Sequence, residues 1–253
     1  MKRLRSFWQH GGSLRRDPAD NLPSGSSFLI VTEGSKTEPN YFKALRDRLR
    51  LVAADVDIEH PEGTDPIVLT QHAITRRDER RAQAARGAAV EYDEVWVVFD
   101  LEKTHDQRRR QAQQAVSLGE ASGIRFARSD PSFEYWLLLH VEYTTASFTK
   151  CSQVIARLKP HWNGYSKGST PSPEFLEKVP RAVSGAEKCR KYHEDSDGDG
   201  NPSTYVDLLV RSLNGATRIC NSGFRDTGVC LSRASGVCGN ALRSALGSKK
   251  AAF

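Results

Sequence analysis

The chain has 253 residues, 38% hydrophobic and 27% charged. That is enough for one large or two small domains whose core needs no covalent staples. No apolar run approaches the roughly 18 residues that span a bilayer. The basic start MKRLRSFWQHGGSLRRD lacks the apolar stretch of a secretory signal. Five cysteines without a CxxC argue against a disulfide framework, so a reducing, cytoplasmic setting is expected. The net charge of +6 is carried by the ends: residues 1–25 hold five basic and two acidic side chains, and residues 215–253 hold six and one, leaving −2 for residues 26–214. Such basic tails either hold a polyanion weakly by counterion release or are solvated extensions.

Residues 1–25, rich in Arg, Gly, Ser and Pro, read as a flexible arm. FLIVT (28–32) predicts a buried first strand. EPNYFKALRDRLRL predicts a helix with Pro39 in its first turn, where a missing N–H costs least. DVDIEH predicts a second strand, DPIVLTQHAITRRDERRAQAARG a long helix, and EYDEVWVVFD a third strand. THDQRRRQAQQAVSLGEAS predicts a helix and IRFARS a fourth strand. Strands separated by helices imply an α/β fold with a mainly parallel sheet flanked by helices. From PSFEYWLLLHVEY onward the segments are helical, which gives an α/β domain over 26–145, a helical extension over 146–214 and a basic tail over 215–253.

Both clear strands end in acid. FLIVTE closes on Glu33, and VWVVFDLE closes on Asp100 and Glu102. Positions i and i+2 of an extended chain share a side, so Asp100 and Glu102 can share a cation. If strands one and three are neighbours, Glu33 is about 4.8 Å away along the sheet. Three crowded carboxylates need positive charge, and Mg²⁺ (or Mn²⁺), which prefers oxygen ligands, is the natural candidate. Solvated loop acids are the plainer alternative. A dinucleotide-binding turn needs G-x-G-x-x-G, and EGSKTE has one glycine and two acids. No Gly-Lys-Ser/Thr loop of a phosphate cradle is present. A receiver domain would want an acidic pair after strand one, where only Glu33 lies.

The ordered series VTEGSKTEPNYF, YDEVWVVFDLE, SDPSFEYWLLLH, YSK and NPST, over about residues 28–212, resembles the RloB-like family of restriction-modification and phage-defence loci. The resemblance implies a Toprim-like fold, the metal-binding catalytic fold of topoisomerases, primases and overcoming-lysogenization-type nucleases. It also implies a Mg²⁺-dependent nuclease acting on DNA or RNA in antiviral defence, beside an AAA-type ATPase partner. Carried over by motif, Glu33, Asp100 and Glu102 are the metal ligands and catalytic acids, with Glu102 in place of the family's usual second aspartate. A non-catalytic, metal-binding adaptor of an ATPase complex is the competing expectation, favoured by the acidic body. No membrane is expected as a partner, and self-association stays open.

Around those acids, Lys36 is a candidate for phosphate contact and charge stabilisation, or an exposed turn lysine. Glu38 opens the next helix, where its charge suits the dipole. Lys103 and His105 follow the second acidic pair. Ser129 or Asp130 is expected to cap a helix from Pro131. On that helix Phe133, Trp136 and His140 share a face, so His140 is by default a core histidine. Glu134 lies among leucines and needs a basic or metal partner. Tyr165 and Lys167 of GYSKG are supporting and phosphate-binding candidates by family position. In DSDGDGNPSTYVD the aspartates imitate a calcium loop, but its twelfth position is Val206 rather than glutamate. An acidic loop with Asn201 capping a helix opened by Pro202 is the preferred reading. Cys220, Cys230 and Cys238 are too widely spaced for a typical structural zinc site.

Overall fold

The computed structural model describes residues 26–49, 51, 56–101, 106–196 and 200–222. Strands β1 (Phe28–Thr32), β2 (Val56–Glu59), β3 (Glu94–Asp100), β4 (Arg125–Asp130) and β5 (Ser203–Thr204) form one sheet in the order β2-β1-β3-β4-β5. The first four strands run parallel, and β5 lies antiparallel to β4. Eight helices are present among the described residues: α1 (Thr37–Arg48), α2 (Pro66–Ala85), α3 (Asp106–Ala121), α4 (Phe133–Leu139), α5 (Cys151–Leu158), α6 (Pro173–Leu176), α7 (Val179–Asp195) and α8 (Val206–Ser222). The chain therefore has the α/β fold, mostly parallel and flanked by helices, that its alternating segments predict.

Side-chain alternation along the strands builds two cores. Leu29 and Val31 of β1, with Val95, Val97 and Phe99 of β3, pack against Leu69 and Ala73 of α2 and Ala112 and Val116 of α3. Phe28, Ile30, Trp96 and Val98 face the other way, onto α1, α4, α5, α7 and α8. The helices of the second half thus share one continuous apolar cluster with the sheet. Local chemistry sets several boundaries. Asp65 accepts the Ile67 N–H at 2.8 Å as the N-cap of α2, with Pro66 in the first turn. Ser172 caps α6 through the Phe175 N–H at 3.2 Å.

Two expected caps are replaced. Ser129 bonds Thr204 through their hydroxyls at 2.9 Å, and Asp130 takes Asn201 and Arg109, so neither caps α4, which begins at Phe133. Asn201 does not open a helix either. Its side-chain oxygen accepts from Ser147 and from the Phe148 N–H, both at 2.8 Å, and its amide donates to Asp130. Ser203 and Thr204 form β5 against Asp130 and Ser129 instead, and α8 starts at Val206. The expected arm over 1–25, Glu102, Lys103, His105, Asp197, Asp199 and the residues beyond Ser222, with Cys230 and Cys238, lie outside the described residues. No described helix is long and apolar enough to cross a membrane.

A candidate metal centre at the ends of two strands

The strand order 2-1-3 makes the carboxyl ends of β1 and β3 a topological switch point, where chain connections diverge to opposite sides and leave a crevice. Glu33 lies in it. Its N–H continues the ladder to Val98 O at 2.9 Å, and its Oε2 accepts the Asp100 N–H at 2.9 Å. The side chain of one strand end is thereby tied to the backbone of the other.

Arg108 of α3 completes that tie. Its guanidinium meets Glu33 Oε2 at 2.6 Å, donates to Asp100 O at 3.2 and 3.3 Å, and donates to Thr64 O at 2.7 Å. Arginine suits this place because its planar fork can serve a carboxylate and carbonyls at once. Register explains why Glu33 meets α3. Thr32 is paired with Val98, so Glu33 lies alongside Phe99, a member of the core on the α2 and α3 side. Asp100 has the opposite parity and shares its side with Trp96 and Val98.

On that second side Asp100 feels the charges of acids from two helices. Burial first, and then the charges of Glu38, Glu33 and Glu134, hold its carboxyl well above the usual carboxylate range, with Lys167 opposing them. Glu38 is also raised, by burial first and then by Glu134 and Glu33. Glu38 reaches back one turn, where its Oε1 accepts the Gly34 N–H at 3.1 Å. A Cβ on Gly34 would collide with that carboxyl, so glycine is what permits the approach. Glu134, only 2% exposed, accepts from Cys151 Sγ at 3.2 Å and from the Tyr165 hydroxyl at 3.4 Å, with Lys167 Nζ at 3.9 Å. Burial first, and then Glu134, pushes the Cys151 thiol up to about 12, so it stays protonated and serves as a donor.

The YSKG loop is fastened to the start of α1. Asn40 donates to Gly168 O at 2.7 Å, and the Gly168 N–H donates to Thr37 Oγ1 at 3.0 Å. Gly168 has φ +91, a conformation that favours glycine, and it packs against the Lys36 stem. The loop buries Tyr165 beside Glu134 and leaves Lys167, 68% exposed, at the rim with exposed Lys36. Two lysines far apart in sequence are thus brought to one edge of the acid group. His140 is elsewhere in role: fully buried, its Nδ1–H donates to Trp136 O at 3.0 Å, its Nε2 accepts from the Tyr41 hydroxyl at 3.2 Å, and its ring stacks on Phe175.

Sequence reasoning missed two participants, Arg108 and Cys151. The signal for Arg108 was the basic run Arg108–Arg110 at the start of the helix that follows the acidic strand end. For Cys151, a lone cysteine, no signal existed.

The donor set suits a hard divalent cation in chemistry and charge. Glu33, Glu38, Asp100 and Glu134 are oxygen donors, opposed by Arg108 and Lys167, and full ionisation leaves an excess of two negative charges. Among the described residues no three His, Cys, Asp or Glu side chains converge closely enough to hold an ion as they stand. Glu33 and Asp100, on opposite sides of the sheet edge, account for that spacing. A family model described as RloB-like protein matches residues 28–213. No curated protein and no solved structure matches the chain.

Proposed function

The chain belongs to the RloB-like protein family, and on that premise we propose that the crevice between β1 and β3 is the divalent-metal site of a phosphodiesterase acting on DNA or RNA. The observation that carries this reading is that the charges of Glu33, Glu38 and Glu134 all bear on Asp100, with Glu38 and Glu134 themselves buried. Like charges so placed are destabilising, and a site that keeps them has a use for a cation. Glu33 and Asp100, joined by Glu102 two positions further along the sequence, would hold Mg²⁺ or Mn²⁺. When bound, the ion would lower the pKa of a coordinated water and neutralise charge on a scissile phosphate.

The chain's own residues have separable parts in that reading. Lys167 and Lys36, exposed at the rim, offer ammonium groups to phosphate oxygens. Tyr165 and Cys151 hold the Glu134 carboxylate in place by donating to it. Asn40 and Thr37 fix the loop that carries Lys167. An AAA-type ATPase would control access of nucleic acid. The second reading, a non-catalytic metal-binding adaptor, is favoured by the lack of three described side chains converged on one point.

A cleavage assay separates the two. Single- and double-stranded DNA and RNA are incubated with the full chain and Mg²⁺ or Mn²⁺, with and without an AAA-type ATPase of the proposed partner class. The catalytic reading predicts metal-dependent cleavage that falls roughly a hundredfold or more in Glu33→Gln and in Asp100→Asn. Cleavage that survives both substitutions defeats it. Metal binding without cleavage in the assembled complex establishes the adaptor.

A further inference from the structure

We propose that Arg108 is an internal counter-ion that occupies Glu33 until a divalent cation takes its place, so that cation binding and the Glu33–Arg108 pair exclude one another. The inference rests on the reading of the crevice as a cation site and adds how that site is kept when empty. Three observations carry it.

The first is the pair itself. At 2.6 Å, with both side chains more than four-fifths covered, it is a charge-assisted contact in a poorly solvated place. A carboxylate so engaged is not available to a metal on equal terms. The second is direction. The ladder assigns Glu33 to the side of the sheet where α3 lies, and Asp100 to the side of α1 and α4. The two acids thus leave the sheet on opposite sides, and Arg108 holds Glu33 on the side away from Asp100's carboxyl, consistent with the finding that no three described ligands converge.

The third is that Arg108 can let go without losing its seat. Thr64 O at 2.7 Å and Asp100 O at 3.2 and 3.3 Å are neutral acceptors that remain if Glu33 turns away. The guanidinium therefore keeps hydrogen bonds in both states, which lowers the cost of exchange relative to abandoning a buried charge. Glu33 too changes one cation for another and is never left uncompensated. A plain structural brace would show the first observation but has no need of the third.

Exclusion has a measurable sign, because coupling between two occupants of one group is reciprocal. Mn²⁺ is titrated into the full-length chain and into Arg108→Ala and Arg108→Lys, with affinity read by calorimetry and by the electron paramagnetic resonance of free Mn²⁺. In parallel, Mg²⁺ is titrated into the ¹⁵N-labelled parent while the Arg108 Nη–H resonance of the group that meets Glu33, identified by its loss in Arg108→Lys, is followed. The expected result is Mn²⁺ binding about tenfold tighter in Arg108→Ala than in the parent, with Arg108→Lys between them. The Nη–H signal should move in proportion to Mg²⁺ saturation, a readout that stands even if the alanine variant fails to fold.

Equal or weaker Mn²⁺ binding in a folded Arg108→Ala overturns the proposal. So does an Nη–H signal unmoved at saturation in a parent that binds metal. Either result leaves the reading of the crevice as a cation site intact. Absence of Mn²⁺ binding in the parent and in both variants would overturn that reading and the proposal together.

Discussion

At the scale of single residues, Asp100 is the most informative side chain. Its carboxyl is raised by burial first and by three neighbouring acids after that. The associated stability is present below the unfolded-state value near 4 and is lost as pH rises through the raised folded-state value. Asp100→Asn removes the group that suffers that loss. In urea melts at pH 8 without divalent ions, the variant should be more stable than the parent, and the difference should shrink as the pH is lowered toward 4. Equal or lower stability would show that the carboxylate carries no such penalty. A residue that costs stability and is nonetheless retained in a crevice fits function better than folding. Glu38 and Gly34 make the same point in steric terms, since the glycine leaves the space that the buried carboxyl fills.

At the scale of elements, α1 and α4 supply acids to one face of the strand ends while α3 supplies the counter-ion to the other. The join between α1 and α4 is made by Tyr41 and His140, well inside the core. Because Nδ1 faces a carbonyl, which only accepts, Nε2 must be the acceptor for the Tyr41 hydroxyl, and the ring is neutral. Burial is the main cause that pushes His140 down to about 3. Its contribution is complete above the unfolded value near 6.5 and is lost as pH falls from there toward about 3. His140→Gln should therefore be less stable at pH 7 by about 1–3 kcal/mol. Between pH 6.5 and 4.5 the parent should lose stability more steeply than this variant, by up to about 1.4 kcal/mol per pH unit. Parallel slopes would place the neutral histidine in doubt.

The elements were legible in the sequence where periodicity was strong. FLIVT, EVWVVFD and the amphipathic helices appear as the pattern predicts. The region around NPST was misjudged because Asn and Pro beside an apolar run resemble a helix start. Only the tertiary fold shows that Asn201 is committed to Asp130 and Phe148, and that Thr204 is paired with Ser129. The acids at the strand ends were legible as residues, but their facing was not. Whether Glu33 and Asp100 share a side depends on the β1–β3 register, which no single strand carries. The loop that carries Lys167 reaches Lys36 through Gly168, by contacts more than a hundred residues apart in sequence and beyond any local pattern.

At the scale of the whole molecule, charge and chemistry are divided. Basic residues are concentrated toward both ends of the chain, while the body is slightly acidic and keeps an excess of carboxylate at one crevice. A polyanionic substrate would be repelled by that crevice unless a cation is present, so the account stands or falls on the ion. The most direct test is a crystal structure of the full chain soaked in Mn²⁺, read from the manganese anomalous signal. The account predicts a peak in contact with Asp100 and Glu33, with Arg108 withdrawn from Glu33 but still bonded to Thr64 O. A soaked crystal with no peak in the crevice and the Glu33–Arg108 pair still closed would contradict it.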